Sequence, residues 1–170
     1  MFDIINSRDF YQKLLEEFDD YMANQASARH AMNCAITAHH LAEWVWGDFL
    51  KGDEVLKAKL GIRSRDDFLH WIDNQSVWYG VVQNISNGSK HFIRASAEGT
   101  VKVQGWGMGG YGQGPFGQSY LAIKVSEIEP QNLPVSQLLE VVIRFWRDFF
   151  SAHSPYSSDM PVGKTTLSTP

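Results

Sequence analysis

Residues 27–50 read SARHAMNCAITAHHLAEWVWGDFL. At about 3.6 residues per turn, Ala31, Ala35, Ala38, Ala42, Val45 and Phe49 fall along one side, and apolar residues spread from there over a broad arc. A helix lying on a surface needs only one stripe. An arc this wide belongs to a central helix that touches several neighbours, and so to a mainly α bundle. Gly47 is tolerable near the end of this helix, and Gly52 is a stop. Cys34, the chain's one cysteine, lies among the alanines as a small packed thiol and can form no internal disulfide.

Working outward, a first helix starts near Ser7, with Phe10, Leu14, Phe18 and Tyr21 at steps of three and four. Glu16, Glu17, Asp19 and Asp20 mostly face away. Residues 51–63 are charged and read mostly as loop. Ser64 and Asp67 form a capping box with Asp in the usual Glu place, leading into a short helix with Phe68, Leu69, Trp71 and Ile72. Residues 74–76 interrupt it. Residues 77–92, VWYGVVQNISNGSKHF, then make a further helix ending near His91. Its apolar stripe is Val77, Val81, Ile85 and Phe92, and its polar stripe is Asn84, Asn87 and His91.

After Phe92 the pattern changes. Residues 100–104 and 120–125 alternate, with Val101 and Val103 on one side and Leu121, Ile123 and Val125 on one side, which reads as a β-hairpin. Pro134 opens a last helix carrying Leu138, Leu139, Val142, Ile143, Phe145, Trp146, Phe149 and Phe150. Beyond His153 the chain is rich in Ser, Thr and Pro and reads as a flexible tail. The expected architecture is a single mainly α domain over residues 1–153. It is a four- to five-helix bundle, with the hairpin and its glycine-rich loop inserted at about 93–130 and a tail at 154–170.

Size and charge narrow the function classes. With 170 residues the chain has the length of one domain, and a net charge of −4 argues against a broad basic surface for sequence-independent nucleic-acid binding. The N-terminus lacks a signal-peptide layout, and no apolar run approaches the roughly 18 residues a bilayer requires. A cytoplasmic protein with no membrane partner is expected.

Three constellations have the residue types for chemistry. Gly105, Gly107 and Gly110 have the spacing of a dinucleotide fingerprint, but the loop returns as a strand and not as a helix that would supply a pyrophosphate site. The match reads as accidental, and no cofactor is expected. Trp106, Met108, Tyr111 and Phe116 in that loop can pack back on the bundle, line a partner surface or stack on bases. His39, His40 and Glu43 share the long helix, with Glu43 about 40° from His39 and about 60° from His40. They form either a buried His–Glu hydrogen bond that orients helices or, with His91 or His70, a metal site. Asn84, Asn87 and His91 lie within about 60° of arc. Such a row is either a polar network at a helix end or a site in which a histidine moves protons and asparagines bind a phosphate.

The order of elements, a long helix with AMNCAITAHHLAEWVW, a helix ending NISNGSKHF and a final apolar helix, resembles HEPN-like helical domains. The resemblance implies a four- to five-helix bundle that dimerises. It also implies metal-independent ribonuclease activity of toxin or defence type, with RNA as partner. The family motif is arginine, a polar residue, about three positions, then histidine. Asn87 matches the polar residue and His91 the histidine, with Gly88, Ser89 and Lys90 between. In that mechanism His91 shuttles protons while Asn87 and Lys90 hold the phosphate. Ser86 stands where the arginine belongs. The alternative reading is a non-catalytic, dimeric protein-interaction module that uses the aromatic glycine loop.

Overall fold

The computed structural model describes residues 3–90, 98–103, 119–124 and 133–167. Six α-helices and a small sheet appear among them: α1 (Ser7–Ala23), α2 (Ala28–Val45), α3 (Glu54–Leu60), α4 (Arg65–Gln75), α5 (Val77–Lys90), β1 (Glu98–Val103), β2 (Ser119–Lys124), β3 (Leu133–Pro134) and α6 (Val135–His153). The expected mainly α bundle with an antiparallel hairpin ahead of the last helix is what forms. No helix of the described residues is long and apolar enough to cross a membrane.

Side chains set most helix starts. Asn6 caps α1 by accepting from the Asp9 amide at 2.8 Å, and Ser27 caps α2 by accepting from the His30 amide. Each bond satisfies a backbone donor that has no partner inside its own helix. The Ser64–Asp67 capping box forms at the start of α4 as the sequence predicts.

The long central helix is continuous through residue 50. Its last turn, Trp46–Leu50, widens into a π-turn closed by the Lys51 amide on the Trp46 carbonyl at 2.8 Å. Three helices meet α2. Lys13 of α1 donates to the buried Thr37 hydroxyl at 2.7 Å. Tyr79 of α5 donates to the His39 carbonyl at 2.8 Å, and the Trp146 indole of α6 donates to the Ala38 carbonyl at 3.2 Å. The small side chains of Ala31, Ala35, Ala38 and Ala42, all buried, let these neighbours come close. Around that axis Leu14, Phe18, Leu41, Val82, Leu138, Leu139 and Ile143 complete one apolar core. Phe68 and Trp71 of α4 reach it through Phe149 of α6, both with ring centroids 5.7 Å from Phe149.

Three elements differ from the sequence reading. Residues 51–63 are not mostly loop, because Asp53 caps α3 through the Leu56 amide and Gly61 ends it at φ 71°. Seven residues with one buried side chain, Leu56, are too few to show a periodicity, so only the caps announce this helix. The hairpin gains a third strand, as β3 pairs antiparallel with β2 through Ala122–Pro134 and Ile123–Leu133. Two residues leading into a proline carry no alternation to read. Residues 154–167, expected as part of a flexible tail, lie along α1, where the Lys164 and Thr165 amides donate to the Asp19 carboxylate at 2.9 and 2.7 Å.

Candidate functional site

The two faces of α5 decide what the Ser86–His91 motif can do. Tyr79, Val82 and Ser86, at steps of three and four, are fully buried against α2. Val81 is buried at the margin of that arc, Ile85 is half-buried, and Val77 is 65 % exposed. The core stripe is therefore rotated from the expected Val77–Val81–Ile85 row toward Ser86. The rotation follows from the Tyr79 hydroxyl, which finds its acceptor on α2, and from Val77 being the first residue of the helix. Asn84 and Asn87 are exposed, with Asn84 roughly 160° around the helix from Ser86. They face solvent and need no partner from the core.

Ser86, at the position where the resemblance implies arginine, shares a hydrogen bond of 2.9 Å with His39 Nδ1. A serine hydroxyl against an imidazole has the atom types of a nucleophile and its base. Here the hydroxyl has no exposed surface, so no substrate reaches it. The pair joins α2 to α5 at the same α2 residue, His39, whose carbonyl accepts from Tyr79 two turns earlier on α5. Neither Ser86 nor Tyr79 carries a sequence motif, and only the step from 79 to 82 to 86 signals that they face one way.

His39 and His40 part company despite ring centroids 5.1 Å apart. His40 turns to Glu43 at 3.5 Å, and Glu43 also pairs with Arg65 of α4 at 3.4 Å. The His–Glu contact is therefore His40–Glu43, extended to Arg65 and partly exposed where a buried bond was expected, while His39 bonds Ser86. Glu43 and Arg65 are each about half exposed, and ion pairs in such a setting contribute about 0–1 kcal/mol. Among the described residues, no three His, Cys, Asp or Glu side chains gather as a metal site. His70 is exposed on α4. His91, the Lys90 side chain and the glycine loop with Gly105, Gly107, Gly110, Trp106, Met108, Tyr111 and Phe116 lie outside the described residues. Cys34 is buried, and burial pushes its thiol well above the usual range, which leaves it protonated and inert.

Glu43 also borders an open groove of about 460 Å³, lined with Ile5, Asn6, Trp44, Gly47 and Asp48. Trp44 stacks on Phe10 of α1 with ring centroids 4.7 Å apart. Asp48, on the π-turn, accepts from the Ser7 amide at 2.9 Å, the Ser7 hydroxyl at 2.6 Å and the Tyr156 hydroxyl at 3.0 Å. This carboxylate is occupied in holding the N-terminus of α1 and the segment after α6. Burial first, and then the hydrogen bond and charge of Asp48, raise the pKa of Tyr156. The groove is an open surface hollow of mixed lining whose acidic groups are already engaged. Comparison of the chain with protein-family models, curated proteins and solved structures gives no match.

Proposed function

We propose that this chain is a HEPN-like helical protein that works as a dimeric binding module and not as a catalyst, with the outer strip of α5 as the face presented to a second copy. The observation that carries the reading is Gly80. It sits inside α5, and a Cβ built on it would meet nothing within 4 Å. A helix-interior glycine costs about 1 kcal/mol relative to alanine, and nothing among the described residues requires that cost here. Close approach by another backbone supplies a reason. Val77, 65 % exposed, and the exposed Asn84 and Asn87 lie on the same side, and α5 has no charged residue before Lys90. An uncharged strip on a helix that faces solvent suits a self-complementary contact. The burial of Ser86 supports the same reading, since the motif position that would hold a phosphate-binding arginine is a core position. Light scattering tests it. The native chain is expected to be a dimer and Gly80→Arg a folded monomer; a monomeric native chain, or a dimeric variant, removes the proposal.

A second reading keeps the metal-independent ribonuclease, with His91 moving protons and Asn87 and Lys90 holding the phosphate. Its support is the exposure of Asn87, which leaves that amide available to a ligand. Cleavage of mixed RNA in EDTA, with His91→Ala as control, separates the two. Equal cleavage by the variant, or none by either protein, removes the nuclease.

A further inference from the structure

The segment after α6 is bound to the bundle in an unusual way. Its own backbone makes two turn bonds, Ser157 amide to Ser154 carbonyl and Asp159 amide to Tyr156 carbonyl. The Ser154 amide also donates to the Phe150 carbonyl and the Tyr156 amide to the Ser154 hydroxyl, and the other polar contacts beyond Tyr156 are made to side chains of the bundle. The Arg8 guanidinium donates to the Asp159 carbonyl at 2.6 Å and pairs with its carboxylate at 3.0 Å. Tyr156 donates to Asp48, and Asp19 receives two consecutive amides, those of Lys164 and Thr165. Arg8 and Asp19 stand about 16 Å apart along α1, so the segment is pinned at both ends of one helix face. Between those pins Gly163 brings its backbone onto Leu15: a Cβ there would lie 3.5 Å from the leucine Cβ. Met160 and Leu167 pack partly against the core, whereas Val162 is 88 % exposed.

We infer that the face of α1 between Arg8 and Asp19 is a docking surface for a peptide segment, that residues 159–165 occupy it in cis, and that residues 154–167 detach as a unit while the helical bundle stays folded. The chemistry of the surface defines its occupant. It takes a chain with a small residue over Leu15 and two successive free amides over a carboxylate, and residues 163–165 meet both conditions. The anchors lie at the surface, where each hydrogen bond or ion pair contributes little, and the segment buries few apolar groups. Those are the marks of an element at the low end of local opening free energies. Detachment leaves Leu15 uncovered and the Asp19 carboxylate open to water, so a segment of the same chemistry from another chain meets a prepared surface.

Hydrogen exchange read by mass spectrometry on the full chain tests this through two variants that cut the same bonds from opposite sides. Asp19→Ala removes the acceptor, and Thr165→Pro removes a donor within the segment itself. In both, amides of residues 156–167 are expected to exchange at least about tenfold faster, the effect of losing a charge-assisted hydrogen bond. Protection in α1 and α2 is expected to stay as in the native chain. Equal loss of protection in α1 and α2 would show that the segment is part of the core, and unchanged exchange in both variants would show that Asp19 does not hold it. Either result overturns the inference.

Discussion

The centre of α2 and the outer face of α1 are both held by hydrogen bonds of similar length, in opposite surroundings. At Ala38 and His39 the bonds come from Trp146, Tyr79 and Ser86, all with no exposed surface. At Asp19 and Arg8 they come from a segment of which much is exposed. Bonds of like geometry therefore have different consequences. A buried partner that is lost leaves a desolvated group and a void, while a surface partner that is lost is replaced by water. The first region fixes the fold, and the second is where the molecule can open.

Trp146→Ala should have the largest effect, because it removes both the bond to Ala38 and an aromatic ring in contact with Tyr79, Phe149 and Phe150. A loss of about 3–5 kcal/mol is expected in urea denaturation. A loss under about 1 kcal/mol would mean that the bond to α2 does not anchor α6. Next comes Ser86→Arg, which restores the motif residue that the HEPN resemblance implies. Because position 86 is buried against His39, the change should cost about 3 kcal/mol through overpacking and an unpaired charge, with no gain of RNA cleavage. Full stability in this variant would show that the arginine reaches solvent, and would reopen the nuclease.

Two glycines sharpen the contrast at a smaller scale. Gly61 ends α3 at φ 71°, a conformation that side chains resist, so Gly61→Ala should cost about 1 kcal/mol. Gly80 has helical backbone and open space before it, so Gly80→Ala should add about 1 kcal/mol to the folding of an isolated protomer. Denaturation across a range of protein concentrations checks both. If Gly80→Ala destabilises the chain most at high concentration, the residue is needed where two copies meet.

How much of this was legible in the sequence depends on element length. The long periodic runs of α1, α2 and α6 declared themselves, because four or more apolar residues at steps of three and four leave one arrangement. Seven-residue α3 and two-residue β3 did not, since neither is long enough to repeat a pattern. The site was half legible. His39, His40 and Glu43 were chosen by type and do meet partners, but the partner of His39 is Ser86, a residue whose type says nothing until its helix is rotated correctly. That rotation turned on Tyr79, which looks apolar in a wheel yet seeks an acceptor. The contacts of the tail were hidden for a related reason: its Ser, Thr and Pro residues lack a core of their own, and what receives the Lys164 and Thr165 amides is Asp19, more than 140 residues earlier in the chain.

The smallest expected effect is the dependence of the two regions on acid, which should separate them along the pH axis. His153, at the end of α6, has its pKa held below 6.5 by burial and then by the charge of Lys59, and its Nδ1 is buried without a hydrogen-bond partner among the described residues. A histidine that protonates less readily when folded favours folding fully above 6.5, and that contribution is lost as pH falls through its lowered native value. Asp19 behaves alike in sign but in a lower window. Burial alone would raise its pKa, but the hydrogen bonds from the Thr165 side chain and from the Lys164 and Thr165 amides, with the charge of Lys164, lower it from 3.8. Its contribution is present above 3.8 and disappears as pH falls through the lowered value. A titration followed by NMR should therefore show the α6 terminus responding first, below 6.5, with the Lys164 and Thr165 amides unmoved. Those amides should shift only below 3.8. Joint movement at one pH would mean that the segment and the end of α6 open together, and the boundary between body and strap would then lie before His153.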